Sequence, residues 1–127
     1  MEHEIIFGES DDFDVVIRAF GAAEVAGFGR YLEALFGDPR WHSGMNALCD
    51  LTELDAHAMT VEDVRRLVDL HAGRDCEIGA GVAAIAAGSP VNYGLVRMWE
   101  ALVEGRIHLR THVFMTVDEA RASLSPH

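Results

Sequence analysis

The chain has 127 residues, of which half are apolar and 24% are charged, so it is not a disordered polypeptide and can bury one hydrophobic core. Ten basic residues stand against 21 acidic ones, which gives a formal net charge of -11. A field of this sign repels phosphate backbones and anionic lipid surfaces, so nucleic acid is not an expected partner. We expect a single domain over residues 1–127.

The sequence also predicts the cellular compartment of the protein. It shows no signal peptide and no apolar run of 18 residues, which predicts a cytoplasmic protein with no integral membrane association. The two cysteines, Cys49 and Cys76, are far apart and form no CxxC pair. Cys49 falls in a predicted interior strand, where a cysteine usually serves as a small core residue.

The first third of the chain predicts a β-hairpin and a helix. Apolar, β-branched runs at 4–8 and 14–20 flank the polar segment GESDD, a pattern typical of two antiparallel strands and their turn. A helix is predicted over 22–36 from its apolar stripe. That stripe comprises Val25, Phe28, Leu32, Leu35 and Phe36.

The next segment passes from a strand through a loop into a helix. A buried strand is predicted over 46–51 and a polar loop over 52–59, after which Thr60 should cap a helix with Asp63 in the capping-box position. Ligands of α/β proteins usually bind where a strand end meets a helix N-terminus. The candidate binding residues of this loop, which we call the anchor-loop residues, are Asp50, Asp55 and His57.

A small, apolar run at 81–87 predicts a central strand covered on both faces. Ser89 and Pro90 then give a cap and a first position for a helix over 90–104. A glycine early in this helix costs stability, so Gly94 predicts a close approach by a backbone or a ligand, or simple packing against the preceding strand. The binding candidates at this second loop and helix start are Ser89, Tyr93, Gly94 and Arg97.

The same helix carries more apolar surface than one sheet needs. Its first apolar line comprises Val91, Leu95, Met98 and Leu102. A second line, here called the outer stripe, comprises Val96, Trp99 and Val103. With the first line on the sheet, the outer stripe is left as a candidate homodimer interface.

The end of the chain predicts an edge strand and a short helix. Alternation over 106–114 places His108, Arg110 and His112 on one exposed face. Thr116 should cap a last helix that ends at Leu124. The element order β-β-α-β-α-β-α-β-α therefore predicts an α/β protein with a mixed five-stranded sheet and helices on it.

The motifs give little support for catalysis or for a metal. The letters GxGxxA at 79–84 precede a strand rather than follow one, so they do not predict a dinucleotide site. On a strand, His108 and His112 would lie roughly 13 Å apart, too far to share one ion. The anchor-loop residues could supply an acid and a base, but no nucleophile motif completes a mechanism. We therefore expect no metal, no cofactor and no enzyme.

Several segments carry a family resemblance. They are DPRWHSGM at 38–45, LCDL at 48–51, TVEDVRRL at 60–67, AAIAAGSPVNYGLVRMWEAL at 83–102 and VFMTVDEARASL at 113–124. With these segments the chain resembles the SpoIIAA-like, or STAS/SEC14-type, family of small bacterial proteins. The resemblance covers nearly the whole chain and implies a STAS-like fold with a non-catalytic role.

The resemblance also implies a modification site. In anti-sigma-factor antagonists of similar fold, a partner kinase phosphorylates a serine or threonine at the start of the helix after the anchor strand. That position falls at Met59 or Thr60 here, where the sequence has Ala58, Met59 and Thr60 in place of an Asp-Ser pair. Thr60 is therefore a candidate phosphorylation or anion site, although the preference of helix caps for threonine favours a plain cap.

Three functional hypotheses follow. The first is a non-enzymatic regulatory or protein-interaction module with an unidentified protein partner, dimerising through the outer stripe. The second is a carrier or sensor of an apolar or lipid-like small molecule, held where small residues leave room beside the sheet. Those small residues are Gly79, Gly81, Ala83, Ala84 and Gly94. The third is an enzyme, which would need the anchor-loop residues to converge in one cleft.

Overall fold

The computed structural model describes residues 1–10 and 12–124, which form a five-stranded sheet and five helices. The strands are β1 (Glu2–Phe7), β2 (Val15–Ala22), β3 (Ala47–Asp55), β4 (Val82–Ala86) and β5 (Arg110–Phe114). The helices are α1 (Val25–Gly37), α2 (Val61–Ala72), α3 (Asp75–Ile78), α4 (Pro90–Val103) and α5 (Val117–Leu124).

The sheet is mixed, and its strands lie in chain order from β1 to β5. β1 is antiparallel to β2, whereas β2, β3, β4 and β5 run parallel to one another. The predicted fold class is therefore confirmed, with β5 as the expected edge strand. Residue 11, in the middle of the predicted hairpin turn, and residues 125–127 lie outside the described part of the chain.

The helices divide unequally between the two faces of the sheet. α2 packs against both α1 and α4, and these three helices cover one face. α5 packs on β4 and β5 from the other side, where Ala120 is completely buried against the small side chains of Ala84 and Ala86. The alternating side chains of β4 therefore enter two different cores, as a central strand requires.

Two asparagine side chains connect the elements at opposite ends of the sheet. Asn46 accepts from the Val82 backbone N–H through Oδ1 at 3.0 Å, and so joins the starts of β3 and β4. Asn92 is buried, and its Nδ2 donates to the carbonyl oxygens of Leu54 (2.9 Å), Ala87 (3.0 Å) and Leu51 (3.2 Å). Both amides satisfy buried backbone groups that the ladders leave unpaired.

The predicted helix caps are confirmed. Thr60 Oγ1 accepts from the Asp63 N–H at 3.1 Å, and Asp63 Oδ2 accepts from the Thr60 N–H at 3.0 Å, which completes a capping box. Ser89 Oγ accepts from the Asn92 N–H at 3.1 Å at the start of α4. Thr116 and Glu119 repeat the reciprocal arrangement before α5. Local sequence signals therefore set these three helix starts.

Three boundaries differ from the prediction. β3 continues to Asp55, beyond the predicted end at 51, because its last residues pair with Gly21 and Ala22 of β2. The pairing passes a register shift at which β3 advances by three residues, from Asp50 to Glu53, and β2 by two. β5 begins only at Arg110, since β4 starts at Val82 and offers no partner to residues 107–109. The turn predicted at 72–75 leads into α3, a single helical turn too short to show a periodic pattern.

The rotation of α4 is the main correction. Trp99 and Val103 of the outer stripe are buried in the core, whereas Val91 and Leu102, predicted to face the sheet, are exposed. The helix is turned because Asn92 is held against the strand ends, which brings positions 96, 99 and 103 inward with it. The outer stripe is thus not the exposed surface on which the dimer expectation was based.

Gly94 also differs from its predicted role, since a Cβ built on it has no neighbour within 4 Å. Close approach is instead a property of Gly81, where a Cβ would lie 2.4 Å from the Met45 carbonyl oxygen and 2.7 Å from that of Gly44. Both of these oxygens are backbone atoms that cannot rotate away.

We therefore expect opposite effects from alanine at these two glycines. Gly81→Ala should lower the free energy of unfolding by about 1–3 kcal/mol, the usual cost of overpacking. Gly94→Ala should raise it by up to about 1 kcal/mol, because alanine is the better residue inside a helix. Urea denaturation of the two variants beside the wild type measures both changes. A destabilised Gly94→Ala protein would contradict the open position of that residue.

Candidate functional site

A cavity lies between the sheet and the layer formed by α1, α2 and α4. Its volume is about 140 Å³, it is partly open to solvent, and its lining is almost entirely apolar. A dry apolar cavity of about 150 Å³ is sufficient to bind benzene. Well-packed cores seldom leave a void of this size, so the cavity is the feature of the fold best suited to hold a small molecule.

The cavity results from the different sizes of the side chains on its two walls. The strand wall includes short side chains, among them Ala47, Cys49 and Ala83, whereas the helix layer contributes large aromatic ones such as Tyr31 and Trp99. Where helices sit at heights fixed by other contacts, short strand side chains leave space that nothing fills.

The loop after α1 forms part of the cavity wall. Trp41 lines the cavity, and its Nε1 donates to the Glu77 carbonyl oxygen at 2.9 Å. Ser43 Oγ donates to the Cys76 carbonyl oxygen at 3.1 Å, and the Gly44 N–H donates to that of Ile78 at 2.9 Å. α3, which the sequence did not predict, therefore serves as the support for this loop.

Three titratable residues line the cavity, and burial keeps all of them neutral near pH 7. Burial raises the pKa of Cys49 to about 12 and raises the pKa of Tyr31, so the thiol and the phenol keep their protons. Burial lowers the pKa of His71, against the smaller opposing effect of its bond to the Leu67 carbonyl. Among the residues described, none of the lining side chains is an aspartate, glutamate, lysine or arginine.

His71 and Trp99 form the polar part of the lining. His71 Nδ1 donates to the Leu67 carbonyl oxygen at 2.7 Å, so in the neutral ring the other nitrogen carries a lone pair. The two rings meet edge to face, with centroids 4.9 Å apart. The Trp99 Nε1–H is buried and has no hydrogen-bond partner among the described residues. An unsatisfied buried donor of this kind costs roughly 1–3 kcal/mol.

The anchor-loop residues do not come together. Asp50 accepts from the Thr52 N–H and hydroxyl at 2.9 and 2.6 Å and pairs with Arg18 at 3.6 Å. Asp55 pairs with Ala22 of β2, whereas Asp50 pairs with Arg18, so the two carboxylates lie roughly 13 Å apart along the sheet. There it accepts from His57 Nδ1 at 2.6 Å, and that bond lowers the pKa of Asp55. The single cleft that an enzyme would need from these three side chains is therefore not formed.

The candidate binding residues at the second loop and helix start also do not form one site. Ser89 is the cap of α4, and Arg97 is exposed and pairs with Glu100 at 3.3 Å. Tyr93 and Gly94 instead line a surface depression next to β5 and the start of α5. The remaining described residues of that depression are Pro90, Val113, Phe114, Met115 and Glu119.

Thr60 is exposed, but its hydroxyl oxygen is used by the capping box. The first turn of α2 also carries Glu62 and Asp63, and the bond to the Thr60 N–H lowers the pKa of Asp63. Two carboxylates at this helix start already occupy the positive end of the helix dipole, so an added anion would meet like charge.

The sequence predicted room beside the sheet at five small residues, but only Ala83 of those five lines the cavity, and most of the lining was not predicted. Tyr31, Leu95 and Trp99 lie on helices at positions that a periodic pattern marks only as core, and no burial was predicted for Asn92. The helical spacing of positions 92, 96, 99 and 103 was the one sequence signal for the rotation of α4. Because residue 92 is a polar asparagine, a search for apolar periodicity does not detect this spacing.

Two further searches cover the described residues only. Within residues 1–10 and 12–124, no three histidine, cysteine, aspartate or glutamate side chains are grouped so that they could hold a metal ion. In the same part of the chain, no helix has the length and apolar character needed to cross a membrane.

One solved structure relates the fold to a known protein. The chain is similar to an uncharacterized protein of the DUF3478 family, with a SpoIIAA-like fold, from Shewanella loihica PV-4. The two share 19% identity and a TM-score of 0.59, over 97% of this chain and 95% of that one. At this identity the likeness shows the fold alone, and it confirms the SpoIIAA-like fold expected from the sequence. No protein-family model matches the sequence, and no curated protein does.

His71 predicts a pH dependence of stability. Because burial places the folded pKa of His71 below the ordinary histidine value of about 6.5, the unfolded chain binds the proton more readily. The stability gained by keeping the ring neutral is fully present above the pKa of the unfolded chain. It is lost as the pH falls through the folded pKa. We expect the wild-type free energy of unfolding to fall between about pH 7.5 and about pH 5.5, and His71→Gln to flatten this slope. A slope of the same size in folded His71→Gln would contradict this origin.

The capping box at Thr60 should contribute to the free energy of unfolding. Thr60→Ala removes the acceptor of the capping box and should lower the free energy of unfolding by about 1 kcal/mol, while Thr60→Ser should retain most of it. Urea midpoints of the two variants distinguish them. Equal midpoints would mean that the hydroxyl contributes nothing as a cap.

Proposed function

We propose that this protein is a non-enzymatic carrier or sensor that binds a compact apolar molecule in the cavity between its sheet and α1, α2 and α4. The observation that carries the proposal is the cavity itself, with its volume of about 140 Å³ and its apolar lining. Burying an apolar molecule there removes its surface from water at a gain of about 25 cal/mol per Å². A preformed cavity adds to the affinity because little of the protein must be ordered on binding.

The absence of a charged lining supports a binding role over a catalytic one. Tyr31, Cys49 and His71 are held neutral by burial, and no carboxylate among the described residues lines the cavity to act with them. General acid–base catalysis needs a group whose pKa lies near the working pH and which reaches the substrate. The anchor-loop residues, dispersed along β3, do not supply that pair.

A regulatory role agrees with this proposal, because a sensor acts through its ligand. The SpoIIAA-like fold is consistent with an interaction module. The dimer through Val96, Trp99 and Val103 has less support, since two of its three residues lie in the core. The cavity is thus the better-supported basis for function.

The test uses ethylbenzene as a probe and a variant that fills the cavity. Wild-type protein should bind ethylbenzene with saturation, measured by calorimetry or by shifts in an ¹H–¹⁵N NMR spectrum. Ala83→Leu places a larger side chain in the cavity wall and should weaken binding at least tenfold, roughly 1.4 kcal/mol or more. Ala101→Leu, at an exposed position of α4, should bind as the wild type does.

A milder variant guards against misfolding. Ala47→Val adds two carbons at another wall position, and it should weaken binding less than Ala83→Leu does. Circular dichroism establishes that each variant is folded. Saturable binding that is unchanged in both folded wall variants would exclude the cavity as the site, and no binding by the wild type would refute the proposal.

A further inference from the structure

The outer edge of β5 has no partner strand. β5 is the last strand of the sheet, and β4 is its one neighbour among the described strands. The Arg110 N–H donates to the carbonyl just before β4 at 3.0 Å, and the Phe114 carbonyl accepts from the N–H just after β4 at 2.8 Å. Bonding alternates along a parallel ladder, so these two residues and His112 bond β4, while Thr111 and Val113 direct their backbone groups outward. Thr111 and Val113 therefore each offer a donor and an acceptor to a further strand.

The start of β5 carries an arginine without a carboxylate partner. Every other arginine of the chain lies within 4.0 Å of a carboxylate oxygen. The exposed side chain of Arg110 makes no ion pair or hydrogen bond with a described residue. It faces the α5 side of the sheet, because the β4 partners of His112 and Phe114, Ala84 and Ala86, pack on α5. A cation is thus available on this face of the edge.

The end of β5 carries the complementary groups. Glu119 lies in the first turn of α5 and lines the surface depression together with Phe114 and Met115. Its carboxylate accepts from Thr116 but makes no ion pair with a described residue. Met115 is one of the exposed large apolar residues. Arg110 and Phe114 are four positions apart, which is roughly 13 Å along the strand. The edge therefore has a cation at one end and a carboxylate with apolar surface at the other.

We propose that β5 pairs with β5 of a second copy of this chain, antiparallel and about a two-fold axis at His112. In this register Thr111 of each copy is opposite Val113 of the other, and the two residues of each pair exchange both of their hydrogen bonds. Arg110 of each copy then lies beside Phe114 of the other, next to Glu119. The contact is isologous and closes with two copies, whose sheets become one. It does not involve the cavity and is independent of the proposed function.

Charge favours this edge over the other one. The two Arg110 side chains stay roughly 13 Å apart along the joined strands, so they do not oppose each other. β1 carries Glu2 and Glu4 and no arginine, so pairing of β1 with its own copy brings only carboxylates together. The net charge of -11 makes two copies repel, but at physiological ionic strength this repulsion is screened beyond about 8 Å.

The experiment measures the oligomeric state by sedimentation over a wide range of protein concentration. The wild type should show a monomer–dimer equilibrium with a Kd of about 1–100 μM, because an interface built on one strand of five residues is small. Val113→Pro removes an outward N–H, which an edge strand tolerates, and it should raise the Kd at least tenfold. Val113→Thr keeps that N–H and a branched side chain, and it should dimerise as the wild type does. Circular dichroism establishes that each variant is folded.

A charge exchange tests the register without altering the backbone. Arg110→Glu places a carboxylate beside Glu119 of the other copy and should raise the Kd at least tenfold. Arg110→Glu combined with Glu119→Arg exchanges the two charges and should restore the dimer. Arg65→Glu is the matched control, since it changes the net charge equally at an exposed position of α2 and should leave the Kd unchanged.

An ¹H–¹⁵N spectrum of the wild type gives a measurement that needs no variant. The amide signals of Thr111 and Val113 should move downfield as the protein concentration rises. A monomer at all concentrations would overturn the proposal and leave Arg110 as a charge that protects the edge. A dimer that persists in folded Val113→Pro and Arg110→Glu would place the interface elsewhere. Species larger than a dimer would mean that β5 pairs with β1, and the two-fold contact would be wrong.

Discussion

The buried amide of Asn92 is the contact on which the functional side of the fold depends. Its Nδ2 lies within 3.2 Å of three carbonyl oxygens at the ends of β3 and β4, so it fixes both the height and the rotation of α4 over the sheet. Trp99 is two turns further along the same face and is therefore directed into the core. An apolar residue at 92 would leave those carbonyls unpaired and would remove the reason for this rotation.

The two faces of the sheet show why a cavity forms on one side only. On the α5 side, Ala120 lies directly against Ala84 and Ala86, and such small side chains let helix and strand approach closely. On the other side three helices must share the space, and contacts between elements hold them there: Asn92 ties α4 to the strands, and Trp41 ties the loop after α1 to α3. Short strand residues there, such as Ala83, cannot reach the helices, so the space stays open.

Local chemistry made most of the fold predictable. Thr60 with Asp63, Ser89 with Pro90, and Thr116 with Glu119 each mark a helix start within four residues, and the apolar strands need no partner to be recognised. The rotation of α4 was predicted wrongly because it depends on carbonyls at 51, 54 and 87, residues brought to Asn92 only by the sheet. The cavity depends on that rotation. It exists because the side chains between the sheet and the helices fill less volume than the space between these two layers, and a sequence pattern does not give that difference.

The acidic surface and the neutral interior both disfavour an anion in the cavity. The field of the molecule lowers the local concentration of anions before they reach the cavity, and the lining offers no counter-charge to those that arrive. A neutral molecule meets neither obstacle.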